Sequence, residues 1–480
     1  MSQAIRKTKI VATVGPASSS PKMLQRLIQA GADIFRLNFS HGENSEKHEL
    51  IERIREVSGR LGRDVGILAD LQGPKIRTGK MRDNAMLLTR GEEVTITTAD
   101  VLGENGLIPT IYRDLPGDVR SGSRILLDDG LLELKVLSVR GDDVLCNVVT
   151  GGILKNNKGI NLPGVKVSAP SLTEKDLIDL QFCLNEYIDY IALSFVRTAE
   201  DVEELKRIIS ASGKQIPIVA KIEKPEALRN FNRILKVTDA VMVARGDLGV
   251  EVQPEKVPVY QKKIIEACNR AGKPVITATQ MLDSMIKNPR PTRAETSDVA
   301  NAIIDGTDAV MLSAETASGD HPVESVETMV RIALEIEHTG FMRHQTHGPE
   351  FSRGVPQAVA ESACSAAAAL KAKAIVVFTQ SGSTAALISC FRPVTPIIAF
   401  TNSHEIRQRL ALFWGVRCTE VGIMENTDQQ IFEVEKRLLV SGFHKGELVV
   451  IIMGTPIETR GSTNLMKIHM LGTHGYYEIF

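Results

Sequence analysis

The sequence predicts an α/β protein whose main body is a (β/α)8 TIM barrel. Three observations predict it: eight short apolar runs occur in the first 340 residues, each is followed by a stretch with helical spacing, and most runs start about 20 to 35 residues apart. Runs that are apolar at every position indicate strands buried on both faces, as in a parallel sheet covered by helices. Eight such units in succession are typical of a closed barrel, whose functional residues lie at the carboxyl ends of the strands.

The composition indicates a globular chain without a dominant charge. The sequence has 480 residues, 43% of them apolar, and 57 basic residues nearly balance 58 acidic ones. This balance gives no reason to expect nucleic acid or a membrane surface as a partner. The N-terminal stretch has no long apolar region, no run of 18 apolar residues occurs, and the six cysteines lack C-x-x-C spacing. We therefore expect a cytoplasmic protein with buried or inert thiols.

The predicted barrel elements follow one another along the chain. The strands are expected at 9–14, 34–39, 66–71, 188–195, 216–223, 240–247, 274–280 and 308–315. The helices are expected at 21–30, 45–61, 173–186, 199–212, 225–237, 257–271, 293–304 and 322–338. We assign residues 1–71 and 168–342 to the barrel.

An insertion separates the third and fourth strands, which start about 120 residues apart. Short runs at 92–98, 124–127, 131–139 and 143–149 read as strands, and D-D-G and R-G-D-D turns separate them. We predict that residues 72–167 form a small β-barrel domain at the mouth of the main barrel, where it would act as a lid.

The pattern changes after about residue 342. An alanine-rich helix at 357–371 precedes strands at 374–378, 396–401, 416–421 and 448–453, with helices at 404–413 and 429–441 and a further strand at 466–471. This order predicts a doubly wound α/β domain over residues 343–480.

Polar residues with a period of two follow several predicted barrel strands, and side chains with that spacing share one face of a strand. The sets are Arg36, Asn38 and Ser40; Lys221 and Glu223; Thr277 and Thr279; and Ser313 and Glu315. A solvated strand end or a structural ion pair explains any single set equally well. Several sets at carboxyl ends predict one shared site.

Two carboxylates in this region suggest a divalent metal. Glu223 and Asp247 follow neighbouring predicted strands, with no cysteine or histidine nearby, which favours Mg²⁺ or Mn²⁺ over zinc. Four basic side chains would surround them: Lys221, Arg36, Arg77 and Lys158. Such a site suits a phosphorylated anion, with catalysis by positioning and charge stabilisation. Neither a P-loop nor a G-x-G-x-x-G motif occurs, so those nucleotide sites are disfavoured.

The motifs resemble one family along most of the chain. The matching segments are N-F-S-H (38–41), D-L-Q-G-P-K-I-R (70–77), N-K-G-I-N-L-P-G (157–164), A-K-I-E (220–223), M-V-A-R-G-D-L-G-V-E (242–251), T-A-T-Q-M-L-D-S-M (277–285), N-P-R-P-T-R-A-E (288–295) and M-L-S-A-E-T-A (311–317). Their identity and order resemble those of the pyruvate kinases. The resemblance implies a glycolytic enzyme that transfers the phosphoryl group of phosphoenolpyruvate to ADP, giving pyruvate and ATP.

The resemblance also implies residue roles. Lys221, Thr279 and Arg36 would be catalytic, with Lys221 stabilising charge on the transferring phosphoryl group and the enolate. Glu223 and Asp247 would hold Mg²⁺ or Mn²⁺. The implied substrate contacts are Arg36, Gly246, Asp247 and Thr279. The implied nucleotide contacts are Asn38, Phe39, Ser40, His41, Arg77 and Lys158. The enolate would be protonated through Thr279 or through water near Ser313 and Glu315.

One departure from the family concerns K⁺. Members that need K⁺ carry D-T-K-G-P-E at the third strand, whereas this chain has D-L-Q-G-P-K. Asn38, Ser40 and Asp70 match the K⁺ ligands, but Leu71 replaces a threonine ligand and Lys75 replaces the glutamate. The ammonium of Lys75 would supply the positive charge that K⁺ otherwise brings. We therefore expect K⁺ to be dispensable.

A hydroxyl-rich loop in the C-terminal domain lies between a predicted strand and a helix. Backbone N–H groups and hydroxyls at such a position suit an anion. The resemblance implies an allosteric site for a phosphorylated effector, and a homotetramer. The implied effector residues are Thr379, Ser381, Gly382, Ser383, Thr384 and Arg460. An ordinary capped turn would contain the same residue types.

Two other functions fit parts of the pattern. A Mg²⁺-dependent barrel lyase or aldolase would stabilise an enolate without transferring phosphate, but the lid and the nucleotide-side cations argue against it. A metabolite-binding regulator on a decayed scaffold is the second, and the intact Lys221, Glu223 and Asp247 argue against decay.

Overall fold

The computed structural model describes residues 6–340, 354–422, 426–455 and 463–472. The chain starts with two strand-helix units and a third strand, as predicted. These elements are β1 (Lys9–Val14), α1 (Pro21–Ala30), β2 (Ile34–Asn38), α2 (Asn44–Leu61) and β3 (Gly66–Asp70). Every residue of β1 and β3 is buried, because one face of each strand meets the barrel interior and the other meets helices.

The insertion after β3 is a β domain with its own apolar core, as expected. Its elements are β4 (Ala85–Leu88), β5 (Glu93–Thr97), β6 (Leu107–Pro109), α3 (Leu115–Asp118), β7 (Arg124–Leu127), β8 (Leu132–Arg140), β9 (Asp143–Thr150), β10 (Gly152–Lys155) and β11 (Ile160–Asn161). Six strands form a sheet in the order β11-β7-β8-β9-β5-β6, and β4 pairs with β10 in a two-stranded ribbon. Residues such as Ile96, Ile108 and Leu134 fill the core between them.

The remaining barrel elements then follow. They are α4 (Glu174–Asn185), β12 (Tyr190–Leu193), α5 (Ala199–Ala211), β13 (Ile218–Ile222), α6 (Pro225–Arg229), α7 (Phe231–Val237), β14 (Ala240–Ala244), α8 (Arg245–Glu251), α9 (Val257–Ala271), β15 (Val275–Ala278), α10 (Arg293–Ile304), β16 (Ala309–Leu312), α11 (Ala314–Ala317) and α12 (Pro322–Thr339). Eight parallel strands close in the order β1-β16-β15-β14-β13-β12-β3-β2, which confirms the predicted barrel.

Two of the predicted strands run into helices before their predicted ends. The chain enters α8 directly after β14, and α11 begins one residue after Ser313, so residues 245–247 and 314–315 are helical rather than extended. Elsewhere the helix starts are encoded locally. Thr173 and Asp176 form a capping box at α4, and Thr292 and Glu295 form one at α10.

The C-terminal domain has the predicted α/β organisation. Its elements are α13 (Val355–Ala369), β17 (Ala374–Phe378), α14 (Ser383–Cys390), β18 (Ile397–Thr401), α15 (His404–Arg409), β19 (Val416–Glu420), α16 (Thr427–Val440), β20 (Leu448–Gly454) and β21 (Thr463–Met470). The sheet order is β19-β18-β17-β20-β21, and only the pair formed by β20 and β21 is antiparallel.

The C-terminal domain packs against the base of the barrel. Ala411 and Leu412 join the apolar cluster that fills the barrel interior. The buried side chains of Arg392 and Asp308 form an ion pair of 2.7 Å at this junction. The base is therefore covered, and the opposite end, where the inserted domain lies, is the mouth. Within the described ranges no helix has both the length and the apolar character needed to cross a bilayer.

Candidate active site

Lys221 lies at the centre of the barrel mouth, on β13. Its Nζ donates a hydrogen bond to Ser194 Oγ at 2.7 Å and lies 3.1 Å from Asp70 Oδ1 and 3.0 Å from Glu223 Oε1. Burial alone would lower the pKa of Lys221, but the carboxylates of Asp70 and Glu223 outweigh it and hold the pKa above its ordinary value. The side chain is therefore a fixed ammonium.

Asp70, at the end of β3, joins two cations. Its Oδ2 accepts a hydrogen bond from Arg36 Nε at 2.6 Å while Oδ1 faces Lys221, and Arg36 also donates to Thr13 Oγ1 at 3.1 Å. Burial would raise the pKa of Asp70, but Lys221 and Arg36 together hold it below the ordinary value. Arg36, Asp70 and Lys221 thus form one connected group across three strands.

Ser194 is a member of this group that the sequence analysis did not single out. Its hydroxyl donates to the carbonyl of Leu71 at 2.7 Å, which leaves the oxygen free to accept from Lys221. The sequence did contain a pattern that could have indicated that Ser194 faces the site. Tyr190 and Ala192 face the barrel interior, and Ser194 continues their period of two beyond the end of β12.

Glu223 and Asp247 offer the carboxylates expected of a divalent metal site. Glu223 Oε2 accepts from the Phe195 N–H at 2.9 Å, whereas the buried Oε1 makes no hydrogen bond to any described residue, although Lys221 Nζ is near it. Burial and the nearby Asp247 raise the pKa of Glu223 despite Lys221. Together with Asp70, Glu223 and Asp247 make three carboxylates, which lie near the two cations Lys221 and Arg36.

This excess of negative charge fits a bound cation. Carboxylate oxygens without histidine or cysteine are the donor set of Mg²⁺ and Mn²⁺. Glu223 Oε1 is buried and has only the ammonium of Lys221 beside it, without a hydrogen bond from any described residue, so it can also bind a metal ion. The residues present therefore fit the divalent metal that the donor set indicates.

Thr279 and Gly246 meet at the mouth, but not through strand alternation. Thr279 follows β15 with φ of +68°, so the period of two that paired it with Thr277 does not continue to it. The Gly246 N–H donates to Thr279 Oγ1 at 2.7 Å, and this hydroxyl donates to the carbonyl of Ala278 at 2.6 Å. Thr277 is buried instead, with its hydroxyl donating to Thr307 Oγ1 at 3.0 Å. The expectation of one shared face for the two threonines was wrong.

Ser313 and Glu315 also fail to share a strand face, because the chain turns into α11. The Glu315 carboxylate accepts from the N–H groups of Ser313, at 2.6 Å, and Leu282, at 3.2 Å. Burial raises the pKa of this carboxyl. Glu315 therefore ties two loops of the mouth together, and Ser313 Oγ is buried without a hydrogen bond to any described residue.

The segment after β2 is positioned by local hydrogen bonds. Asn38 Oδ1 accepts from the Ser40 N–H at 3.0 Å, and the carbonyl of Phe39 accepts from Lys175 Nζ at 2.7 Å. His41 is next in this segment. Burial, and then the charge of Arg77, lower the pKa of His41.

Cations from both domains lie around His41. Lys47, Lys75 and Arg36 also lower the pKa of His41, so the field at this edge of the mouth is positive. Arg77 stands at the first connection to the inserted domain and donates to the carbonyl of Asn157 at 3.1 Å. Lys158, at the second connection, pairs with Asp128 at 2.8 Å. The predicted nucleotide residues thus lie where the barrel meets the inserted domain.

The predicted effector loop forms a turn that leads into α14. Gly382, with φ of +85°, donates from its N–H to Thr379 Oγ1 at 2.9 Å. Ser381 and Ser383 hydroxyls lie 3.0 Å apart. Thr384 Oγ1 lies 2.6 Å from the hydroxyl of Thr463 on β21. Arg460 lies outside the described residues, so the effector site stays a prediction.

Fold and site together define a class of protein. A fixed ammonium, carboxylates that suit a divalent metal and a positive rim occupy the mouth of a (β/α)8 barrel, beneath an inserted β domain. This is the arrangement of a metal-dependent enzyme that stabilises a phosphorylated anion, hence a phosphotransferase.

Comparisons with known proteins agree with this class and refine it. The family models for the pyruvate kinase barrel domain and the pyruvate kinase alpha/beta domain match residues 5–326 and 357–469. The chain belongs to the pyruvate kinase family. It is 48% identical over 469 residues to a pyruvate kinase of Mycobacterium intracellulare, covering 97% of this chain and 99% of that protein. A pyruvate kinase of Geobacillus stearothermophilus is also 48% identical, over 97% of this chain and 80% of its own.

A solved structure shares the whole architecture. A pyruvate kinase from Cryptosporidium parvum superposes with a TM-score of 0.90 at 38% sequence identity, covering 97% of this chain and 96% of that one. The chain is therefore a phosphotransferase of this family, and membership implies a divalent metal and a monovalent cation.

Proposed function

We propose that the mouth of the barrel transfers the phosphoryl group of phosphoenolpyruvate to ADP with the residues described above. An oxygen of the ADP β-phosphate attacks phosphorus, and the bond from phosphorus to the enol oxygen breaks. The enolate that remains takes a proton at carbon and becomes pyruvate. A divalent metal held by Glu223 and Asp247 would neutralise charge on the phosphoryl group and the substrate carboxylate.

The protein's own side chains orient and stabilise the reacting groups in this proposal. Lys221 and Arg36 carry fixed positive charge to the transferring phosphoryl group and the developing enolate. Gly246, Asp247 and Thr279 contact the substrate. The segment 38–41, with Arg77 and Lys158, binds the nucleotide phosphates, and movement of the inserted domain brings the last two over them.

One observation carries the proposal: Lys221 Nζ lies 3.0 Å from Glu223 Oε1, so the ammonium and a metal held by Glu223 and Asp247 would act on the same phosphoryl group. The test is a coupled assay of pyruvate formation from phosphoenolpyruvate. We expect pyruvate only with both ADP and Mg²⁺. Pyruvate formed without ADP would indicate a lyase or a phosphatase. No pyruvate, together with saturable phosphoenolpyruvate binding, would indicate a metabolite-binding regulator.

We propose further that the enzyme works without K⁺. Lys75 lies near enough to His41 to lower its pKa, so its ammonium belongs to the positive rim. Both carboxylate oxygens of Asp70 already face cationic partners, and Asn38 Oδ1 has a backbone donor. Activity should change little when K⁺ is replaced by a bulky organic cation at equal ionic strength. Stimulation by K⁺ of about tenfold would refute the proposal, and Lys75→Glu should make the enzyme depend on K⁺.

The C-terminal domain, in our proposal, binds a phosphorylated effector at the loop 379–384. Activation or inhibition of the enzyme by phosphorylated compounds would support this proposal if the response is lost in Ser383→Asp, where the new charge repels phosphate. An unchanged response in Ser383→Asp would refute it.

We also propose a homotetramer, supported by the exposed apolar side chains of Phe432 and Val440 on α16. Light scattering after size exclusion tests the assembly. The free cysteines of the described chain suit a cytoplasmic location.

A further inference from the structure

Arg245, the first residue of α8, is a buried cation whose side chain turns away from Lys221 and the metal carboxylates. Its guanidinium meets the Asp298 carboxylate of α10 through two contacts of 2.7 Å, Nη1 with Oδ1 and Nη2 with Oδ2. This paired geometry matches the planar fork of arginine to a carboxylate. Asp298 therefore anchors the guanidinium and fixes its orientation.

Most of the remaining guanidinium hydrogens point at the turn that follows β15, and Nη1 also donates to Gln261 Oε1 at 3.3 Å. Nη2 donates to the carbonyl of Thr279 at 2.7 Å, and Nε lies 3.2 Å from the same oxygen. Weaker contacts of 3.3 Å reach the carbonyls of Ala278 and Gln280. The Arg245 side chain thus donates to three successive backbone carbonyls.

The turn that Arg245 contacts has an unfavourable backbone conformation. Thr279 and Gln280 have φ of +68° and +55°, a left-handed conformation that glycine adopts readily and other residues avoid. A β-branched threonine is especially disfavoured there. Two consecutive residues keep such a conformation only where their surroundings stabilise it, and Arg245 contacts the carbonyls of both.

This conformation sets the position of the Thr279 hydroxyl. In the observed turn it accepts from the Gly246 N–H at 2.7 Å, and a Cβ built on Gly246 would lie 3.3 Å from it. Were Thr279 to continue the strand with negative φ, its side chain would leave this contact. Thr279 and Gly246 are therefore placed together by the left-handed turn whose carbonyls Arg245 binds.

We propose that Arg245 is a positioning residue for phosphoryl transfer: anchored by Asp298, it holds the turn at Thr279 and Gln280 left-handed and so places Thr279 and Gly246 against the anionic substrate. The proposal rests on the proposed function, in which these two residues meet phosphoenolpyruvate. It deepens that function, since Arg245 would act on the substrate through the turn that it contacts.

The test compares steady-state kinetics of Arg245→Met with the wild type, after the wild type has been shown to make pyruvate from phosphoenolpyruvate. We expect the KM for phosphoenolpyruvate to rise about tenfold or more and the KM for ADP to stay within twofold. Arg245→Lys should behave like Arg245→Met, because an ammonium is a point charge and cannot hold several carbonyls in one plane. An unchanged KM for phosphoenolpyruvate would overturn the proposal.

A second substitution separates positioning from general stability. Gln280→Gly allows φ of +55° without strain, so it should lower the KM of Arg245→Met at least threefold while changing the wild-type KM less than twofold. Failure of this rescue would also overturn the proposal. The matched control is Arg55→Met, since Arg55 likewise binds two carbonyls, of Val65 and Tyr187, and one carboxylate, but at the barrel base. It should lower the melting temperature without raising the KM.

If Arg245→Met does not fold, Asp298→Asn provides the measurement. The substitution keeps the shape of the side chain but removes the charge that anchors the guanidinium. We expect the KM for phosphoenolpyruvate to rise about threefold, with rescue by Gln280→Gly. A folded Asp298→Asn enzyme with wild-type KM would overturn the proposal. A wild type that makes no pyruvate would instead refute the proposed function.

Discussion

Replacing Lys221 by methionine removes the central charge of the site while keeping a side chain of similar length. The ammonium has three oxygen neighbours, Ser194 Oγ at 2.7 Å, Asp70 Oδ1 at 3.1 Å and Glu223 Oε1 at 3.0 Å. Loss of one such preorganised donor costs about 2.7–4 kcal/mol of transition-state stabilisation. We therefore expect kcat to fall by about 10²- to 10³-fold, and KM for phosphoenolpyruvate to change by less.

The same substitution should also destabilise the protein. It leaves Asp70 and Glu223 facing each other without their shared cation, and removing one partner of a buried pair costs about 3–5 kcal/mol. Melting temperature must therefore be measured beside the rates. Lys9→Met is the matched control, because Lys9 is a buried lysine at the opposite end of the barrel. Its kcat should equal that of the wild type.

The assay is the initial rate of pyruvate formation at saturating phosphoenolpyruvate, ADP and Mg²⁺, at a temperature where circular dichroism shows both variants folded. A Lys221→Met enzyme with kcat within tenfold of the wild type would refute the reasoning, because a stabilising charge at the reacting phosphoryl group could not then come from this residue.

Three further predictions follow from named contacts. Burial lowers the pKa of Lys9 from 10.5 to about 8, so Lys9 binds its proton more tightly in the unfolded state than in the folded state. At neutral pH, where Lys9 is protonated, this difference reduces the free energy of unfolding by about 3 kcal/mol, and the loss disappears as pH rises from 8 to 10.5. Lys9→Met should thus melt higher than the wild type at pH 7, and the gap should close by pH 10.5; a gap independent of pH would contradict this. Arg392→Met leaves buried Asp308 unpaired and should cost about 3–5 kcal/mol of stability, with Asp308→Asn added to it restoring part of the loss in thermal melts. Glu223→Gln should weaken Mn²⁺ binding, followed by paramagnetic resonance without substrates, at least tenfold, whereas Glu315→Gln should leave it unchanged because that carboxylate binds backbone N–H groups.

The apolar runs predicted the barrel well because its strands are mostly apolar and are buried along nearly their whole length. β14, for example, is apolar and buried at every position from Ala240 to Ala244, as expected of a strand in a covered parallel sheet. The places where strands end were predicted less well. Arg245–Glu251 and Ala314–Ala317 are helices, since a short polar stretch after a strand fits an extended tail and a first helical turn equally.

The same limit applies to the site. Lys221 and Glu223 were placed correctly beside each other because alternation still holds from Lys221, in β13, to Glu223, the first residue after it. Thr279 escapes alternation because its φ is positive, a conformation that its residue type argues against. The contact of Asp70 with Lys221 joins strands far apart in sequence, so no local pattern could have indicated it.

The strand pairing of the barrel has a consequence for how the chain is made. β3 lies beside β12, with Leu68 opposite Tyr190, and β1 lies beside β16, with Lys9 opposite Ala309. The ribosome releases residues in order, so the outer edges of the first three strands remain unpaired while about a hundred further residues emerge. The inserted domain, built from hairpins that pair with near neighbours, can fold during that wait. Closure of the ring, by contrast, must be a late event in the biogenesis of this enzyme.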